Sequence, residues 1–328
     1  MRRFFLVCFL AIVAVALWLA WAVALPVRFA QPEFVLLRPG WSTRHVANEL
    51  KAQGIIRSSS AFLLMHYVVG SRTLKAGEYK FDQPASALDV HRRVAAGDIY
   101  IRTVLVPEGF NIYDIAGAVE QAGLGSRADF LKAAQTNLSL ISDLDPSATS
   151  LEGYLFPDTY DFTRTQSMVD IVSAMVHHFR QEARTIGLNT DVHRVVTMAS
   201  IVEKETAVPE ERPVVAAVYY NRLKQNIPLA ADPSVIYAAL LEGHYNGTIY
   251  QSELQSDSAY NTYRHAGLPP GPIANPGRAA LAAAMHPAES DYLYFVSDNN
   301  GHHRFARTLA EHARNVAAYR RALAEQNR

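Results

Sequence analysis

The run from Phe4 to Leu25 carries no charged residue and follows directly on Arg2 and Arg3. A helix of that length spans roughly 33 Å, about the thickness of a bilayer core, so the pattern predicts a transmembrane helix. A cleaved signal peptide is the competing reading, but its apolar region normally extends over only about 7 to 15 residues before a small-x-small site. Cys8 follows too few apolar residues to resemble a lipoprotein cleavage site and reads as a helix cysteine. With Arg2 and Arg3 at the cytoplasmic end, the positive-inside tendency sends the remaining chain outside the cytoplasm.

Beyond Pro26 and Pro32 the apolar runs shorten into small α+β units. Phe34–Leu37 is strand-like, and Pro39-Gly40 signals a turn. Thr43–Gln53 reads as a helix with Ser42 as its cap and Gly54 as its end. Ser58 to Ser60 can cap a second helix carrying Phe62, Leu63, Leu64, Tyr67 and Val68, and Gly77–Phe81 reads as a returning strand. This strand–helix–helix–strand order resembles a LysM module, a fold associated with glycan binding; the bland alternative is a spacer. The remaining pattern predicts a strand within Ile99–Pro107 and helices over Asn111–Ala122, Val169–Ile186, Asp191–Thr206, Pro213–Gln225 and Ala279–Met285. Tyr292–Ser297 reads as a strand, and Leu309–Gln326 as a packing helix with a solvated charged face. The expected fold is α+β: an anchor within residues 1–30, a small LysM-like domain over 31–97, and a larger mixed catalytic domain over 98–328.

Composition narrows the function. With 31 basic and 31 acidic side chains, the chain has no overall cationic field to draw nucleic acid. A single cysteine among 328 residues can form neither an internal disulfide nor a Cys-rich zinc site. The 12 histidines include no His-Glu-x-x-His, and the pairs His177-His178 and His302-His303 cannot share one helical face. No metal or cofactor is therefore expected. Neither a Gly-x-Ser-x-Gly elbow nor a phosphate-cradling Gly-x-x-x-x-Gly-Lys loop occurs. Carboxylates remain as the source of chemistry.

The informative string is ASIVEKET, Ala199 to Thr206. At about 100° per residue, Val192, Val195, Val196, Ala199 and Val202 form one apolar stripe, while Met198 and Ile201 lie on another side. Such a helix is buried around much of its circumference. Glu203 falls near the stripe and Glu205 points roughly 200° away, so the two cannot flank one glycosidic bond as an acid–base pair. In isolation, either glutamate reads more readily as a structural carboxylate, bound to backbone or paired with a base such as Lys204 or Arg222.

Other strings occur in order around it: EGYLFPDTY (Glu152 to Tyr160), NRL (Asn221 to Leu223), ADPSVIY (Ala231 to Tyr237), YNTY (Tyr260 to Tyr263), GLPPGPIANPG (Gly267 to Gly277) and His286-Pro287. Together with the N-terminal apolar run, they resemble the MltG, or YceG-like, family of endolytic peptidoglycan transglycosylases over nearly everything after residue 34. The resemblance implies a lytic enzyme of the cell inner membrane, single-pass, with its catalytic domain on the periplasmic side. It further implies that residues 4–25 contact the lipid bilayer and that glycan strands of nascent peptidoglycan are cut between MurNAc and GlcNAc, ending their elongation. Peptidoglycan synthases are a candidate partner class. The family's catalytic glutamate aligns with Glu205.

Such a mechanism needs only one carboxyl, whereas a hydrolase needs an acid plus a base or nucleophile. Glu205 should carry a raised pKa, which an apolar helix can supply through desolvation. Glu152, Asn221, Tyr260, Asn261 and Tyr263 are the expected substrate-binding residues, with core packing and turn capping as alternatives for the tyrosines and Asn261. Pro269, Pro270, Pro272 and Pro276 are expected to stiffen a loop. Two other function classes stay open at this point: a non-catalytic peptidoglycan-binding anchor, and an ordinary glycoside hydrolase using Glu205 with Asp232.

Overall fold

The computed structural model describes residues Met1 to Gln326, which fall into two compact units. The first comprises Met1–Thr103 and Asp161–Ser167, and the second comprises Val104–Tyr160 and the residues from Met168 onward.

The first unit begins with helix α1, Arg2–Val23, whose mean hydropathy of 2.7 and length suffice to cross a membrane. A signal sequence passes the same test. Strand β1 (Glu33–Leu37), helices α2 (Thr43–Ala52) and α3 (Ser59–Val69), strand β2 (Gly77–Phe81) and helix α4 (Ala87–Ala96) follow. Each helix starts where the sequence offers a cap. Ser42 and Ser58 accept from the amides of His45 and Ala61, and Ser86 and Asp89 form a reciprocal capping box. β1 and β2 pair antiparallel with Val35 opposite Tyr79 and Leu37 opposite Gly77. The period-two alternation turns Val35, Leu37, Tyr79 and Phe81 into a core with Val46, Leu50, Phe62, Val90 and Val94. α4 closes this core; it is not among the helices read from the sequence, although the Ser86–Asp89 box and Gly97 mark its two ends. Its apolar stripe is only Ala87, Val90 and Val94, interrupted by the buried His91.

The remaining elements are strand β3 (Arg102–Leu105), helices α5 (Ile112–Gln121) and α6 (Arg127–Thr136), and strand β4 (Thr159–Phe162), which pairs with β3. Helices α7 (Met168–Thr185), α8 (Val192–Glu205), α9 (Arg212–Lys224), α10 (Asp232–Leu241), α11 (Gln251–Leu254) and α12 (Arg278–Met285) follow. Strands β5 (Tyr294–Ser297) and β6 (His303–Ala306) form an antiparallel hairpin, and α13 (Leu309–Gln326) closes the chain. α8 is the central element of the second unit. Val192 and every residue from Val195 to Val202 are buried, as the two apolar stripes predict, against α9, α10 and α12.

The ordered strings meet around α8. Gly153, at φ +88°, sits so close to Pro272 and Val196 that an added Cβ would lie 2.5 Å from the proline ring and 2.8 Å from the valine. Only glycine fits there, so EGYLFPDTY and GLPPGPIANPG lock onto the same face of the central helix.

Candidate active site

The last three residues of α8 leave the helix into three different surroundings. Glu203 turns inward: Arg212 donates to its Oε1 at 2.7 Å and the Gly277 amide to its Oε2 at 3.0 Å. Its partner is thus Arg212, not Lys204 or Arg222. Lys204 Nζ donates to the Gly109 carbonyl. Glu205, on the diverging face, opens into a cavity of about 460 Å³. At Thr206 the backbone becomes extended, which frees this end of the helix to form a wall of the cavity.

The cavity is assembled from distant segments: Tyr219 and Arg222 of α9, Asp232 at the start of α10, Tyr263, Tyr294 and Phe295 of β5, and Leu309 and His312 of α13. The hydroxyl of Tyr219, itself 2% exposed, donates to Glu205 Oε1 at 2.6 Å. Burial and the neighbouring carboxylate keep that phenol protonated well above its ordinary range, so it remains a donor. Phe295 holds the Tyr219 ring edge-on at 5.8 Å. Desolvation pushes the Glu205 carboxyl up to about 7; the Asp232 charge adds to this, while the Tyr219 hydrogen bond and His303 oppose it. A carboxyl of that kind holds its proton in a large fraction of molecules near neutral pH and can give it up without a large penalty. Asp232 accepts from the Tyr263 hydroxyl, and both residues line the cavity.

Of the five residues expected to bind substrate, Tyr263 lines this cavity with Glu205 and is 40% exposed. The other four lie elsewhere. Glu152 is 2% exposed in the core, where the Ile112 amide, Tyr237 hydroxyl and Asn275 amide all donate to it. Asn221 donates to the carbonyls of Ser290 and Tyr292, pinning the segment that leads into β5. Asn261 is fully buried and donates to the carbonyls of Glu253, Leu254 and Ser256. Tyr260 packs its ring on Tyr237 at 5.1 Å. Asn and Glu offer hydrogen bonds to backbone as readily as to sugar, and sequence position alone does not separate the two uses.

Tyr219, Tyr294 and His312 are not among the residues the sequence singles out, and Arg222 enters there only within the NRL string and as a possible partner of a structural glutamate. Tyr219 and Arg222 stand three residues apart on α9, a spacing that puts them on one face, and Arg222 is the arginine of the NRL string. α13 supplies packing, as its pattern predicts, and also a wall of the cavity. Among the described residues, no group of three or more His, Cys, Asp or Glu is placed to hold a metal ion.

Residues 35–318 match the YceG-like family. The chain is 33% identical over 293 residues to an endolytic murein transglycosylase of Bacillus subtilis, covering 83% of this chain and 81% of that protein. It is 30% identical over 316 residues to an endolytic murein transglycosylase of Streptococcus pneumoniae strain D39, covering 85% of this chain and 57% of that longer protein. A crystal structure of a yceG-like protein from Listeria monocytogenes superposes with a TM-score of 0.58 at 30% identity, covering 87% of this chain and 99% of that one.

Proposed function

The chain belongs to the YceG-like family, and from that premise we propose that it is a membrane-anchored lytic murein transglycosylase whose acid–base residue is Glu205. The observation that carries this reading is the placement of Glu205. It is the carboxyl at the open end of a buried helix, held by one buried phenol and pushed up to about 7 inside a cavity large enough for sugar.

In the reaction, the protonated Glu205 gives its proton to the glycosidic oxygen between MurNAc and GlcNAc as the bond to C1 breaks. The C6 hydroxyl of the same MurNAc attacks C1, and the Glu205 carboxylate takes up the hydroxyl proton. The products are a 1,6-anhydroMurNAc end and a strand with a new 4-hydroxyl. No water is consumed, and Glu205 ends in the state in which it began. Attack within one sugar has the advantage of a held nucleophile. Tyr219 is a positioning residue, fixing which carboxyl oxygen faces the cavity. α1 supplies the anchor, the LysM-like first unit positions glycan, and cleavage of nascent strands ends their elongation.

Asp232 in the same cavity provides the second carboxyl that a hydrolase would need, and product mass decides between the two paths. The expected result is anhydro ends lighter by one water than hydrolysed ends, and their loss by at least about 100-fold in folded Glu205→Gln. Hydrolysed ends from the wild type, or near-normal anhydro ends from the folded variant, would overturn the proposal.

A further inference from the structure

Arg222 and His312 both line the Glu205 cavity and both lie against the Tyr294 ring. The Arg222 guanidinium carbon is 5.5 Å from the ring centroid, and the His312 imidazole stacks on the ring at 5.2 Å with the planes 21° apart. Arg222 Nε and His312 Nδ1 are shielded from solvent, and neither has a hydrogen-bond partner among the described residues. Among the described residues the Arg222 guanidinium forms no ion pair, although Glu205 and Asp232 line the same cavity. In the same unit Arg212 is paired with Glu203 and Glu108, and Arg180 with Asp143. A part-buried, unpaired guanidinium lining a cavity incurs a desolvation cost that a ligand's acceptor atoms, meeting its Nη–H groups, would offset.

We propose that Arg222 and His312 form a carboxylate-binding subsite in the Glu205 cavity, reading the lactyl or stem-peptide substituent of a muramyl residue. The inference rests on the murein reading. MurNAc differs from GlcNAc by the lactyl ether at O3, so the carboxylates of a glycan strand sit on that substituent, either as the free lactyl group or on its peptide. A guanidinium presents a planar fork of N–H donors that matches a carboxylate. Burial and the nearby Arg222 hold His312 below its ordinary pKa, so at neutral pH it adds an N–H donor without a second charge. The Tyr294 ring packs against both groups and fixes each beside the cavity. The subsite would seat the muramyl residue, rather than GlcNAc, beside Glu205, which is the register the lytic reaction requires.

The test uses the full chain in detergent, with Glu205→Gln to prevent turnover, titrated with four tetrasaccharides. These are (GlcNAc–MurNAc)₂ with free lactyl carboxylates, the same with stem peptides, the same with lactyl methyl amides, and chitotetraose. Adding Arg222→Gln should weaken binding of a carboxylate-bearing tetrasaccharide about 10-fold or more, the range for a hydrogen bond to a charged group. Methyl amide and chitotetraose should bind as before. Loss confined to the free-lactyl ligand assigns the lactyl carboxylate, and loss confined to the peptide-bearing one assigns the stem. Arg222→Lys, which keeps the charge without the fork, should restore part of the affinity. Should Arg222→Gln not fold, Arg222→Lys and His312→Gln carry the same comparison. Equal loss for all four ligands, or no loss for any, would overturn the subsite. The murein reading fails separately, if protein with Glu205 intact yields no anhydro ends.

Discussion

Glu152 and Glu205 are two glutamates of one unit whose carboxyls are pushed up to about 8 and about 7, in both cases chiefly by burial. Their surroundings differ in what remains unfinished. Three donors from α5, α10 and the loop before α12 converge on Glu152, which is 2% exposed. Among the described residues Glu205 has one hydrogen-bond partner, Tyr219, and it faces the cavity between α8, α9 and β5. A raised proton affinity is therefore not by itself a sign of chemistry; it becomes one where the group can still reach a ligand. Glu152 ties segments together, and Glu205 is held ready by them.

The comparison breaks most sharply at stability. Glu152→Ala would leave the Ile112 amide and the Tyr237 hydroxyl buried without an acceptor and would remove one of the two acceptors of the Asn275 side-chain amide, the other being the Phe110 carbonyl. At about 1–3 kcal/mol for each stranded group, unfolding stability should fall by about 3 kcal/mol or more. Glu205→Ala should cost far less, since it strands the Tyr219 hydroxyl alone and at the same time removes a desolvated carboxyl. Denaturant unfolding of the two variants measures the contrast, and equal stabilities would dissolve it. The pH dependence sharpens the same point. Glu152 binds its proton more tightly folded than unfolded, so its contribution is fully present below the unfolded value near 4.5 and is lost as pH rises through about 8. Glu152→Gln should flatten that decline in the thermal midpoint between about pH 5 and pH 8.

Glu203 is an intermediate case, part-buried like Glu205 but closed like Glu152. Its carboxylate binds Arg212, itself 6% exposed, and the amide that starts α12. Glu203→Gln should lower stability by about 1–3 kcal/mol by weakening a charge-assisted hydrogen bond, with a rate effect well below that of Glu205→Gln. Loss of anhydro product in folded Glu203→Gln with Glu205→Gln active would exchange their roles.

How much of this was legible in the sequence follows from what each feature depends on. Caps and periodicity are local, so α2, α3, α8, α9, α12 and α13 stand within a residue or two of their predicted bounds. The divergence of Glu203 and Glu205 is legible too, because helix geometry alone fixes it. α10 escaped notice because it is apolar on nearly every side and has no amphipathic period, although Pro233 marks its first turn. β6, with the sequence HRFA, is a strand only because β5 pairs with it. The cavity wall was illegible for the same reason: Tyr219, Tyr294 and His312 meet only once α9, the hairpin and α13 have packed. Glu152, Asn221 and Asn261 illustrate the converse, polar residues of distinctive strings whose hydrogen bonds are made within the protein.

The smallest expected effect is the most specific to the open site. If the protonated Glu205 starts the reaction, cleavage should fall as pH rises through about 7, because the acid is lost above its pKa. The Tyr219 hydroxyl favours the carboxylate, so Tyr219→Phe should raise the Glu205 pKa and move this alkaline limb to higher pH. The Asp232 charge disfavours the carboxylate, so Asp232→Asn should lower the pKa and move the limb to lower pH. Two substitutions around one carboxyl would then shift one pH profile in opposite directions, whatever each does to the maximal rate. A purely structural role for Tyr219 and Asp232 predicts lower rates with an unmoved limb. Profiles of the two variants that move together, or not at all, would detach the alkaline limb from Glu205.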